Sequence, residues 1–150
     1  MTTLKERKEL GKKTLEIISS AAGKDGFALD YLWMWARCSR CLDDIFDADH
    51  HVSREELLEV FEYLLIKIPT NPFFTEYRET LLSQHVSMYN AWMAANEWDK
   101  GDKTDRIYAH VWRDTHHELV PIVALLTQGH EKMKEISDLI RKTFKKDLGD

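Results

Sequence analysis

The sequence is short of the residues that turn a chain: six glycines and three prolines in 150 residues. So few breakers leave little room for many short strands and favour long helices. Cysteine is nearly as scarce, with two, and the opening MTTLKERKELGKK is charged throughout, without the apolar core of a secretory signal. The expected compartment is therefore the reducing cytoplasm. No apolar run approaches the roughly twenty residues that a spanning helix requires, so no membrane partner is expected. Positive charge is not in excess either. A net charge of −5 without a concentrated basic face excludes the electrostatic footprint of a nucleic-acid binder. A glycine-rich phosphate loop, a nucleophile elbow and an HExxH pair are all missing.

What is present is a globular composition, 43% hydrophobic and 31% charged, with apolar residues at helical spacing. A first helix is predicted over roughly 3–22 on Leu4, Leu10, Leu15, Ile17 and Ile18, ending near Gly23. A second runs over about Phe27–Ala48. Its first half is apolar all round, the mark of a buried helix, and its second half carries Arg40, Asp43, Asp44 and Asp47. The third starts at Ser53, with Glu56 completing a capping box and Val52 poised to staple onto Leu57. Leu57, Leu58, Val60, Phe61, Leu64, Leu65 and Ile68 form its expected buried side, and Pro69 its expected stop. Asn71-Pro72 starts a fourth helix that extends to about Trp98. A fifth covers about Thr104–Gln128, kinked or divided in two by Pro121, and a sixth about His130–Leu148. The expected fold is all-α: one domain over residues 1–150, a bundle of five to six helices with long antiparallel neighbours.

Chemistry concentrates at the end of the second helix. Asp43 and Asp47 stand one turn apart with Asp44 beside them, a spacing that lets carboxylates share one Mg²⁺ bridged to a phosphate. Carboxylates in a last helical turn also oppose the macrodipole at about 0.3–1 kcal/mol each, a strain that a metal or a basic group relieves. The segment Asp43–Asp47, DDIFD, resembles the aspartate-rich DDxxD motif of class I terpenoid and prenyl-diphosphate synthases, all-helical enzymes that hold a Mg²⁺–diphosphate complex at the rim of an apolar pocket. Over these five residues the resemblance implies Asp43, Asp44 and Asp47 as metal-binding positions. Elsewhere the chain departs from that family. It is about half as long, and in place of a second metal motif Asn90 is followed at four-residue intervals by Ala94 and Trp98, with Glu97 out of register.

On the fifth helix His110, Asp114, His117 and Glu118 are spaced to face one side, as ligands are in carboxylate-bridged bundles. Asp114 and Glu118 are thus candidate partners for Asp43 and Asp47, with Arg37, Arg40 and Arg113 as holders of phosphate oxygens. The simpler reading makes both acidic sets solvated helix flanks, the first partly paired with Arg37 and Arg40. Cys38 and Cys41 form a CxxC inside a helix, away from the helix N-terminus that activates a redox cysteine, and read as core. Trp33 lies off the main core face, where a subunit contact would suit it.

The favoured functional expectation is a small non-catalytic, homo-oligomeric interaction protein without a cofactor, in which a second subunit covers the apolar part of the second helix. The alternative is a Mg²⁺-dependent enzyme acting on a small phosphorylated ligand, a diphosphate or phosphate ester, through the aspartates.

Overall fold

A computed structural model describes residues 4–145, and every regular element among them is helical. The all-α fold class is therefore the one the periodicity predicts. The helices outnumber the five or six expected because two long ones are divided. The chain separates into two compact units after Tyr77.

The first unit contains α1 (Leu4–Ala22), α2 (Gly26–Asp47), α3 (Arg54–Glu62) and the short α4 (Pro72–Glu76). α1 buries only its C-terminal end, at Ile17, Ile18, Ala21 and Ala22, so Leu4 and Leu15 are exposed rather than part of a continuous core stripe. It stops where Gly23 turns left-handed at φ 60°. Asp25 then starts α2 by accepting a hydrogen bond from the Ala28 N–H at 3.0 Å. α2 is the hub of this unit and packs against α1, α3 and α4. It buries Ala28, Tyr31, Leu32 and Met34 in its first half and Cys38, Cys41 and Asp44 in its second. The Tyr31 ring meets Phe73 and Phe74 of α4 at centroid distances of 6.0 and 5.8 Å, the tilted geometry that aromatic quadrupoles favour.

Asn71 joins the two ends of this arrangement. Its Oδ1 accepts from the Phe74 N–H at 3.0 Å and caps α4, while its Nδ2 donates to the Phe27 carbonyl at 3.0 Å and ties α4 to the start of α2. Replacing this buried Asn71 by alanine is expected to cost about 2 kcal/mol. Asn71→Asp, which keeps the cap and loses the donor, should cost less. Urea midpoints of the two variants check the order.

α3 begins as predicted, with Ser53 Oγ accepting from the Glu56 N–H at 3.1 Å. Val52, with Tyr63, packs on a cluster of Cys38, Cys41 and Val60. The helix runs to Thr70, two residues past the expected stop near Ile68. It widens into a π-helical segment, Tyr63–Lys67, and closes with one α-turn, Ile68–Thr70. The Ile68 N–H reaches back five residues to the Tyr63 carbonyl. Pro69 supplies the physical reason: in a regular α-turn its ring would clash with the Leu65 carbonyl, and the wider turn just upstream relieves that clash.

The second unit contains α5 (Arg78–Trp98), α6 (Lys103–Arg113), a 3₁₀ segment (Asp114–Glu118), α7 (Leu119–Gln128) and α8 (His130–Phe144). Tyr77, at φ −108° and ψ 25°, leaves helical geometry and divides the helix expected over Asn71–Trp98. Asp102 and Asp105 form a reciprocal capping box at the start of α6. Asp105 folds back so closely that a Cβ on Gly101 would lie 2.1 Å from its carboxylate, so this turn requires glycine. The helix expected to kink or divide at Pro121 is divided, at Asp114–Glu118. Proline has no N–H for the His117 carbonyl and its ring crowds that carbonyl, so the disturbance falls one turn upstream. α5 pairs with α6 and α7 with α8, and the 3₁₀ segment touches all four. Gly129, at φ 100°, makes the turn between α7 and α8. Among the described residues no helix is long and apolar enough to cross a membrane.

Candidate functional site

The three aspartates at the acidic end of α2 have different surroundings, Asp44 buried and Asp43 and Asp47 exposed. Asp44 follows Cys38 and Cys41 at three-residue spacing and is buried with them. Arg7 of α1 meets it with both guanidinium nitrogens, Nη1 to Oδ1 at 3.3 Å and Nη2 to Oδ2 at 2.7 Å. This two-pronged pair is the geometry in which arginine best neutralises a carboxylate. Arg7 carried no signal in its charged surroundings, but a carboxylate on a buried stripe needs a cation, and that requirement was legible.

Around the pair, Arg37, Arg40, Cys41, Glu56 and Val60 enclose a cavity of about 30 Å³. That space holds a water or two; pockets for organic ligands run to roughly 300–1,000 Å³. Arg37 turns to Glu59, Nε to Oε1 at 3.4 Å, and Arg40 lies exposed at the rim. Asp43 and Asp47 are exposed as well. Beyond them Ala48 adopts φ 54° and reverses the chain. This turn brings Asp49 and His50 to Asp44, with possible ligand atoms of the three within 4.8 Å of one another. Because Arg7 already engages both Asp44 oxygens, millimolar Mg²⁺ with pyrophosphate is expected to leave the melting temperature unchanged. A rise that Asp44→Ala abolishes would instead place a cation here.

Asp114, Glu118 and Arg113 belong to the second unit and have local partners. Arg113 Nη2 donates to Asn96 Oδ1 at 3.1 Å and Asp99 Oδ2 at 3.0 Å. Glu118 is paired with Arg141, and Asp114 Oδ1 lies 3.8 Å from His117 Nδ1. His117 stacks on Phe144 at 4.8 Å and meets His116 at 3.8 Å. Burial, helped by the positive charge of Arg141 and by His116, pushes its pKa down to about 3. His85 of α5 is lowered to about 4, by burial alone. Both rings are therefore neutral at physiological pH. The cysteines are core: burial, with neighbouring negative charge, pushes the Cys38 thiol up to about 12 and Cys41 upward too, the opposite of a reactive thiol.

The feature that the periodicity misplaced is the outer side of α3. Of the seven residues expected in its core stripe, only Val60 and Ile68 are buried. Val60 faces the α2 cysteines. Leu58, Phe61 and Leu65, spaced by three and four residues, are 60%, 53% and 70% exposed, and Ile66 is 58% exposed. Leu42, Ile45 and Phe46 on the second half of α2 are also exposed. The apolar first half of α2, where a subunit contact was expected, is largely covered by its own chain; only Phe27 and Trp33 remain exposed large hydrophobics there.

No protein-family model, curated protein or solved structure matches the chain.

Large apolar side chains scattered singly over a surface are ordinary, but a row at helical spacing is a recurrent mark of an interaction surface. The π-helical segment lies under the same face, and such interruptions gather at functional positions because they re-aim the side chains they carry. The cue in the sequence was an excess. Leu57, Leu58, Val60, Phe61, Leu64, Leu65, Ile66 and Ile68 wrap around more of the helix than one partner helix can cover.

Proposed function

We propose that the protein is a small non-catalytic interaction protein that associates with its own copies through the outer face of α3. The observation that carries this reading is the exposed row Leu58, Phe61 and Leu65 on a helix whose inner face is already packed against α2. Each such side chain gains roughly 1.5–3 kcal/mol on leaving water, against a loss of overall freedom that association must offset. Symmetric self-association lets one row serve twice, since each copy supplies the surface that the other covers. The non-catalytic part of the reading is supported by the small cavity beside Asp44 and by the local partners of Asp44, Arg37, Arg113 and Glu118.

A charge at the end of the row tests it. Leu65→Glu is expected to weaken association at least 100-fold while leaving the helical circular dichroism unchanged, because Leu65 makes little use of its own core. Sedimentation velocity over a concentration series reads the change. Wild-type-like association of Leu65→Glu would show that another surface holds the copies together.

A further inference from the structure

We infer that two copies meet with their α3 helices antiparallel, crossing at Phe61. This inference rests on the self-association just proposed and specifies its geometry from the distribution of charge along the helix. After Arg54 at its first position, α3 and its π-helical continuation are electrically lopsided: Glu55, Glu56, Glu59 and Glu62 come first, and Lys67 stands at the far end. Inside one copy Glu59 is held by Arg37 and Glu62 lies 3.5 Å from Lys67. Glu55, exposed at the leading end, has no ion-pair partner among the described residues.

An antiparallel pair centred on Phe61 sets each Phe61 against its own copy. Leu58 then lies over Leu64 of the second molecule and Leu65 over its Leu57, so apolar residues face one another on both sides of the centre. On the flank of the row, the same two-fold axis carries Glu55 of each copy to Lys67 of the other, six positions from the centre on either side. A parallel pair would instead set the glutamate-rich ends side by side, where like charges repel. The i to i+5 closeness of Glu62 and Lys67 is a product of the π-helical turn, which swings Lys67 and Ile66 toward the flank and edge of the row. The irregular turn and the charge distribution thus favour the same partner, a second copy of this chain in reversed orientation.

Charge reversal tests the orientation. Glu55→Lys and Lys67→Glu should each weaken association roughly ten-fold, since each replaces two symmetry-related attractions with repulsions. The double variant should recover to within about three-fold of the wild type and lose the recovery's salt sensitivity last. Cysteine pairing gives a second readout that does not depend on these small energies. The Glu55→Cys/Lys67→Cys double variant should form disulfide-linked dimers under mild oxidation, and neither single variant should; the native Cys38 and Cys41 are buried and take no part. Cross-linking of the single variants would show parallel pairing and overturn the inference. So would a wild-type protein that associates yet ignores both charge reversals and forms no cross-link, leaving self-association itself intact. A wild-type protein that is monomeric at all concentrations would remove both.

Discussion

Arg7→Met is expected to destabilise the first unit by about 3–5 kcal/mol, because it leaves Asp44 buried without its counter-charge. The side chain of Asp44 is 8% exposed, and among the described residues Arg7 supplies both hydrogen bonds that its carboxylate accepts. Removing both charges should do far less harm. In Arg7→Met/Asp44→Leu, two apolar side chains of similar volume replace the pair, and stability should return to within about 1 kcal/mol of the wild type. The chain carries its own reporter for this experiment. Its two cysteines both lie in the first unit, both are buried, and Cys38 packs next to Cys41 and Val60. Alkylation of these thiols under native conditions follows opening of that unit, so a loss of 3 kcal/mol should accelerate labelling by roughly 100-fold. Labelling at the wild-type rate in Arg7→Met would show that Asp44 is solvated and that the pair holds nothing together.

Acidification should unfold the second unit first. The His117 and His85 rings are kept neutral by burial, with pKa values of about 3 and about 4 against an ordinary 6.5. In the unfolded chain both rings take up a proton as pH falls through about 6.5. Above that pH neither state is charged, and the two histidines have no effect on stability. Between 6.5 and the folded values the unfolded state binds more protons, so stability declines with falling pH, at up to about 1.4 kcal/mol per pH unit for each ring. The partial exposure of His85 makes its share the smaller, and a total loss of a few kcal/mol is expected on going from pH 7 to pH 4.5. His117→Phe can keep the stack on Phe144 and has no proton to bind. It should roughly halve the slope of the urea midpoint against pH, whereas equal slopes in variant and wild type would place the titrating group elsewhere.

Local signals in the sequence were read correctly where they depend on neighbours in the chain. Ser53 and Asn71 cap the helices they were expected to cap, Gly23 and Gly129 turn left-handed where helices end, and Cys38 and Cys41 are core. Pro69 and Pro121 act on the carbonyl four residues before them, so the irregular turns lie upstream of both, whereas Tyr77 divides its helix without a proline at that position. The acidic site was harder to read, because spacing along α2 brought Asp43, Asp44 and Asp47 together but could not say that Asp44 alone turns inward to Arg7. Helical periodicity likewise identifies an apolar side without naming what covers it. That is why Leu58, Phe61 and Leu65 were expected in the core and lie outside it. Where an apolar band is wider than its neighbours in the fold can bury, the surplus is the part that points to a partner.

Sedimentation equilibrium of the wild-type chain tests self-association most directly. One copy weighs 17.7 kDa. The expected result is a mass that rises with concentration toward twice that value and returns to one copy in Leu65→Glu. A mass of one copy at every concentration would contradict the assignment of the α3 face to a second molecule of this chain.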